Sequence, residues 1–364
     1  MIYLEVNGTP YTNFMSASIT LAVDTMANDF TFVASSVNDF PPFKAGDRVK
    51  CLVDNKQVLD GYIDGVNGQE TEGTHTVTYT GRDRTQDFID SDIDVINDIR
   101  TTGELTLKGL IEIVIKHLGQ DLQVVDELSP PPFNAAEDIL SPKVGQNALE
   151  FVSLYAMKRQ ALLSSDKDGN ILITQSSPIE TGITLKSDGS GNDDNIISQS
   201  WTKQDKEIFR NYINKGQLDP LALNLTPSPD IAGVQVQSAG VADTSARAGR
   251  QRVTVEPKGY SNAQLKDRSK WSRQLSKARA TKYACAVAGH AKPDGTPWKE
   301  NELILIISVA ADITSYMLTN SVTFSQAEGS PTTTTFEFVE RNVYTIDEQI
   351  QSQKKVGSAL NAFG

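Results

Sequence analysis

Through about the first 80 residues, apolar side chains recur at every second position, and turn residues cut each run short. Ile2, Leu4 and Val6 alternate, and Asn7-Gly8 follows. Ala17, Ile19, Leu21 and Val23 form the next run, then Phe30, Phe32 and Ala34, before Pro41-Pro42 breaks the pattern. Val49, Cys51 and Val53 resume it, with Asp54-Asn55 as a turn before Val58, and His75, Val77 and Tyr79 complete the set. A period of two puts one set of side chains on one face of a strand, and Asn-Gly or Asp-Asn pairs between such runs signal hairpins. Short strands at this spacing predict a small antiparallel barrel or sandwich.

The middle of the chain changes period. Leu107, Leu110, Ile111, Val114 and Leu118 follow helical spacing, with Thr106 as the predicted cap and Gly119 as the stop. After Pro130-Pro131-Pro132, Asn147 and Glu150 form a variant capping box for a second helix with Leu149, Val152, Ala156 and Met157 inward. Strands around 161–164 and 171–174 follow, joined by an Asp168-Gly169 turn. This predicts a mixed α/β module.

From Ser187 to Asn195 the residues are Ser, Gly, Asn and Asp, a loop composition, and a second strand-rich region begins near Ile196. Leu218 to Asp243 carries three prolines and reads as a long surface excursion. Asn262 to Tyr283 is predicted helical with Leu265, Leu275 and Ala278 inward. Strands are expected again at 303–309, 321–324 and 336–339, and residues 350–364 read as a polar, extended tail. The resulting divisions are 1–90, a first β-barrel tube domain; 91–186, the α/β insert; 187–310, a second barrel-like domain with a basic helix; and 311–364, terminal strands and tail.

A chain of 364 residues with 38% hydrophobic and 22% charged residues belongs to the soluble globular class and has room for several cores. No apolar run approaches the length of a membrane-spanning helix, so no membrane anchoring is expected. The opening Met1 to Glu5 does not read as a signal peptide. Cys51 and Cys285 are too few and too far apart for a disulfide framework and are expected as buried free thiols. A net charge of −12 disfavours general binding to nucleic acid or anionic lipid.

Candidate chemistry is sparse, and no catalytic, cofactor or metal residue is assigned. His75, His117 and His290 have no metal-ligand spacing to one another. The run Asp166-Lys167-Asp168-Gly169-Asn170 resembles the front of a calcium loop, but a strand follows where further ligands belong, so a hairpin turn is favoured. Gly189-Ser190-Gly191 leads into Asn192-Asp193-Asp194, whose charge repels phosphate. Asp90, Asp92 and Asp94 form an acidic run better read as a solvated face than as a glycosidase pair. The one strong charge feature is the basic helix with Lys266, Arg268, Lys270, Arg273, Lys277, Arg279 and Lys282, opposed only by Asp267. It has no interleaved aromatics for nucleic acid, so an acidic surface of a neighbouring subunit is the favoured partner.

An ordered set of segments resembles the phage baseplate hub family, which includes the Mu-type 43 kDa tail protein and the late-control D proteins. The segments are Val6-Asn7-Gly8 with the strands to Phe32, then Gly61-Tyr62-Ile63-Asp64, then Tyr79 to Asp90 with Gly81-Arg82-Asp83 at its heart. Gly145 to Phe151 and Asp168 to Ile171 come next, and the basic helix leads to Val287 to His290, Gly295 to Trp298, and Asn301. One departure is His290, where the family often carries Trp; it is read as a packing difference.

The resemblance implies an α+β fold with two antiparallel β-barrel-like tube domains and an inserted α/β domain, closing as a ring-shaped homotrimer. It implies a structural, non-enzymatic part of a contractile phage or prophage tail, made and assembled in the bacterial host cytoplasm. Such a ring adapts a sixfold tail tube to a threefold central spike and leaves a channel through which DNA passes without specific binding. The net charge of −12 adds the expectation that acidic residues line the channel. The alternatives are a tail-associated cell-wall hydrolase and a receptor- or carbohydrate-binding module.

Overall fold

The computed structural model describes residues 1–6, 8–35, 43–72, 74–96, 99, 105–133, 142–191, 193–217, 236–256 and 261–346. Asn7, Pro41-Pro42, Asn192, most of the 218–243 excursion and the 350–364 tail lie outside the described residues.

The alternating runs at the start become β1 (Ile2–Val6), β2 (Thr9–Tyr11), β3 (Ser16–Ala22), β4 (Asp29–Ser35), β5 (Arg48–Val53), β6 (Lys56–Thr71) and β7 (Thr74–Asp83). They pair antiparallel in the order β2-β1-β5-β6-β7-β4-β3. Asp54 and Asn55 both hold positive φ, 49° and 64°, the backbone that a two-residue hairpin between β5 and β6 requires. Most of the in-facing set named by the alternation, including Leu4, Ile19, Phe32, Val49 and Tyr79, is buried in one core; Val23 joins a separate cluster, and Val77 and His75 are only partly buried.

The α/β module contains α1 (Gln86–Ile89), β8 (Asp92–Ile93), α2 (Leu107–Leu118), β9 (Val124–Asp126), β10 (Gln146–Asn147), α3 (Ala148–Lys158), β11 (Leu162–Ser165) and β12 (Ile171–Thr174). Thr106 caps α2 by accepting from Gly109 N–H, and Gly119 ends it in the left-handed conformation. Asn147 caps α3 by accepting from Glu150 N–H. The buried face of α3 is Ala148, Phe151, Val152, Tyr155 and Ala156; Leu149 is only partly buried, so the expected stripe is rotated toward the aromatics. These residues form a second core with α2 and the sheet β11-β12-β9.

The remainder holds β13 (Glu180–Ser187), β14 (Ile196–Lys203), β15 (Asn211–Gln217), β16 (Val236–Ala242), β17 (Gln251–Val255), α4 (Asn262–Ala280), β18 (Thr281–Ala288), β19 (Leu303–Ser308), β20 (Ile313–Ala327) and β21 (Thr333–Glu340). α4 stops three residues before the predicted Tyr283, because Tyr283, Cys285 and Val287 already alternate as β18. α4 contacts the small sheet β16-β15-β17 as well as β18 and β21.

The expectation of two separate β-barrel-like domains needs correction. The first strand group and the last are one continuous sheet of 13 strands, because β20 pairs with β3 from Ser321↔Ala22 to Ala327↔Ser16. β20 also pairs with β19 over 313–318 and with β21 over 317–325, and its register slips between Thr319 and Ser321. A 15-residue strand with a bulge near its middle can therefore serve two pairings in succession. Among the described residues the path ends on β14 and on β2, with β13 as a branch end, so no barrel closes. The chain is mostly β, its strands predominantly antiparallel.

Candidate functional site: a polar junction between sheet and insert

Where β6 and β7 cross, glycine is required on both strands. A Cβ on Gly61 would lie 2.0 Å from the Arg82 carbonyl oxygen, and one on Gly81 would lie 2.1 Å from the Tyr62 oxygen and 2.4 Å from the Phe30 ring. This close approach sets the position of the next two residues. Arg82 points outward and joins Asp64 (Nε–Oδ2 2.8 Å) to Asp90 (Nη2–Oδ2 2.6 Å). Asp83 points inward and is fully buried.

The Asp83 carboxyl gathers three parts of the chain. It accepts from Asn28 N–H at 2.8 Å, on the β3–β4 turn, and from Thr85 N–H at 2.9 Å, at the start of the insert. Ser165 Oγ of β11 also bonds to it. Asn28 completes the link, donating to Ser165 Oγ at 2.9 Å and accepting from Ala22 N–H at 2.8 Å. Burial raises the Asp83 pKa despite these hydrogen bonds. The Thr85 hydroxyl lies 2.7 Å from Met26 O and 2.5 Å from Asp83 Oδ1 and has one proton to share between these two acceptors.

A second cluster lies at the β20 fork. Asn301, with φ 58°, accepts from Ser177 N–H at 2.9 Å and donates to Gln175 O at 2.9 Å, holding the segment that leaves the insert. Its own N–H donates to Thr319 O at 2.8 Å. Asn320, in the bulge, accepts from Tyr344 Oη at 2.6 Å and donates to Asp24 Oδ1 at 3.2 Å. Tyr344 N–H donates to Ser176 Oγ at 3.0 Å. Burial and the neighbouring Asp24 carboxylate push the Tyr344 phenol up, so it stays a donor.

The insert hairpin docks against the first sheet. Gly169, with φ 70°, leaves a Cβ only 2.7 Å from Asp60 O, and Gln57 Nε2 donates to Lys167 O at 2.9 Å. Asp166 Oδ1 accepts from Asp168 and Asn170 N–H, both at 2.9 Å, so the run that resembled a calcium loop is a self-bonded hairpin turn. Among the described residues no three His, Cys, Asp or Glu side chains gather as metal ligands.

The other singled-out residues are dispersed. His75 meets Glu70 at 3.3 Å, and His117 lies in the last turn of α2. His290 is buried against Phe324, with Nδ1 3.3 Å from Thr334 Oγ1 and a pKa lowered by burial to about 4. Trp298 packs edge-on against Phe336 at 5.1 Å. Cys51 and Cys285 are buried and free, and burial raises both thiols, Cys285 to about 12. Asp90 is tied to Arg82, while Asp92 sits in β8.

The basic helix also needs correction as a surface. Arg268 is buried and ion-paired to buried Glu256 at 3.2 Å, and Lys270 is buried with Nζ 3.3 Å from Asp267. Arg273 and Lys277 are half-buried, which leaves Lys266, Arg279 and Lys282 exposed. Lys282 meets Glu337. A run of cations on a helix looks solvated in sequence; long stems let several of them pack inward.

Of the junction residues, Gly81, Arg82, Asp83 and Asn301 stood out in sequence. Asn28 lay within a segment that carried the resemblance, whereas Ser165, Asn320 and Tyr344 did not stand out, because their contacts with Asp83, Asp24 and Ser176 form only on folding.

This mostly β architecture, with an α/β insert bolted to a long sheet by buried polar clusters, is a phage tail protein fold. Residues 1–83 match the family described as Mu phage baseplate assembly protein GpP-like, N-terminal. The chain is similar to the baseplate hub protein gp44 of Escherichia phage Mu, 20% identical over 368 residues, covering 99% of this chain and 93% of that protein. Among solved structures, the prophage MuSo2 43 kDa tail protein from Shewanella oneidensis matches with TM-score 0.77, 23% identity, and 94% and 98% of the two chains covered. The tail protein from Neisseria meningitidis MC58 matches with TM-score 0.77, 15% identity, and 94% and 97% covered. The resemblance to the phage baseplate hub family read from the sequence is borne out.

Proposed function

We propose that the chain is the structural hub of a contractile-tail baseplate, working as a homotrimeric ring that joins a sixfold tail tube to a threefold central spike. The observation that carries this reading is the end-to-end similarity to a baseplate hub protein, over 99% of the chain. The two strand groups of the long sheet are the parts that three subunits would present as six similar surfaces. The ring leaves a channel for DNA that is passed without specific binding, and the net charge of −12 suits such a wall. The exposed cations Lys266 and Arg279 are proposed to meet acidic surface of a neighbouring subunit, Lys282 being already paired with Glu337, and the work is mechanical rather than catalytic. Assembly takes place in the host cytoplasm, with the tube and spike proteins as neighbours.

Electron microscopy of the purified protein tests the reading. Threefold rings with a central hole support it; single compact particles with no hole contradict it.

A further inference from the structure

The strands β13-β19-β20-β21-β18-β14 run in a curved series whose two ends, β13 and β14, come together without forming a ladder. Gln199 Nε2 of β14 donates to Ser187 Oγ of β13 at 3.2 Å, and the backbone contacts are made by one residue. Asn195 N–H donates to Lys186 O at 3.1 Å, its Oδ1 accepts from Lys186 N–H at 2.8 Å, and its Nδ2 donates to Thr184 O at 3.0 Å. A side-chain amide thus stands where a neighbouring strand's peptide groups would be. Beside this bridge, the β13–β19 register jumps between Glu180 and Thr184, with Gly182 at φ 73°.

The jump borders a groove of about 790 Å³ lined by Thr181 to Leu185 on one side and Ile196-Ile197 on the other, with Val287 and Trp298 among its remaining walls. Three features of this groove point to an occupant. Ile197 is 59% exposed at the bulge where the β14–β18 register shifts. Trp298 is only 5% exposed, yet its indole N–H has no acceptor. The rim is acidic: Asp194 and Asp294 line it and Asp193 is exposed beside it, while Lys186 and Lys292 pair with Asp188 and Glu302, and Lys56 Nζ donates to Gly295 O at 2.9 Å next to Asp294. Hydrogen bonds from Thr296 hold the Asp294 carboxyl below the usual range, so that charge persists.

We propose that the β13–β14 seam is a docking groove for an extended, basic peptide strand of a partner protein. The peptide's amides continue the bonding that Asn195 begins, its apolar side chains cover Ile197, and its Lys or Arg side chains meet the acidic rim. A carbonyl on the strand gives the Trp298 indole its acceptor. This inference does not depend on the hub reading.

The test uses the full chain and three labelled synthetic peptides read by fluorescence anisotropy: an alternating Lys/Val heptapeptide, the same peptide with Glu for Lys, and the Lys form with a central Pro. The Lys form binds at least about tenfold more tightly than either other peptide, a difference of about 1.4 kcal/mol. In Asp194→Lys/Asp294→Lys the preference for Lys over Glu reverses, and Ile197→Lys, at an exposed position, weakens the Lys form about tenfold. Thermal unfolding of both variants checks that they fold. Absence of binding by the Lys peptide, equal binding of the Pro peptide, or an unchanged preference in the charge-reversed variant overturns the proposal.

Discussion

Gly81, paired with Ile63 across β6–β7, lies so close to the neighbouring Tyr62 that a Cβ would stand 2.1 Å from the Tyr62 carbonyl oxygen. The obstacle is backbone, which cannot swing aside as a flexible side chain does. Gly81→Ala is therefore expected to cost about 1–3 kcal/mol or more through forced strand separation. Gly119→Ala, where only positive φ opposes the change and nothing lies within 4 Å, serves as the control and costs about 1 kcal/mol. Chemical denaturation of the two variants checks the order; equal losses contradict it.

Asp83 gives the account a pH signature. Its folded pKa is raised above 3.8, so the folded state favours the neutral carboxyl. The stabilising contribution is fully present below the unfolded value and is lost as pH rises through the folded value. Asp83→Asn cannot titrate and destabilises at low pH by about 1–3 kcal/mol, since one amide cannot replace both carboxyl oxygens. The gap between native protein and variant narrows as pH rises. A gap that widens with pH shows instead that the junction prefers the ionised form.

Asn301 combines a left-handed backbone with two clamps on residues 175–177. Asn301→Gly keeps the backbone and removes the clamps. It is expected to lose about 1–3 kcal/mol and to speed amide exchange at Ser177 more than in the β6–β7 pair. Unchanged exchange at Ser177 rules out the clamp.

Arg268 and Glu256 are both buried, so breaking the pair leaves a lone charge inside the protein. Glu256→Gln or Arg268→Met alone is expected to cost about 3–5 kcal/mol, and the double variant less than the sum of the two. Additive losses in a double-mutant cycle contradict direct pairing.

These residues mark where sequence reading succeeds and stops. Alternation named the core faces of the first strands, and local chemistry named the Thr106 and Asn147 caps, the Gly119 stop and the Asp54-Asn55 turn, because each depends on neighbours a few positions away. The β20–β3 pairing links residues some 300 positions apart, as in Phe324↔Ile19, and no local pattern encodes it. That is why two barrels were expected where one sheet runs through. In α4, the inward Trp271 and Arg268 were hidden among polar residues whose burial depends on what folds over them. At the junction, the resemblance drew attention to Gly81, Arg82 and Asp83 and to the segment holding Asn28, but Ser165 carries no signal of its own, and nothing local says that these residues meet.

The proposed function rests on three copies closing into one ring. Light scattering coupled to size exclusion, at concentrations spanning a hundredfold, measures this without labels or partners. The account predicts a mass of three chains that holds on dilution; a stable single-chain mass throughout contradicts it.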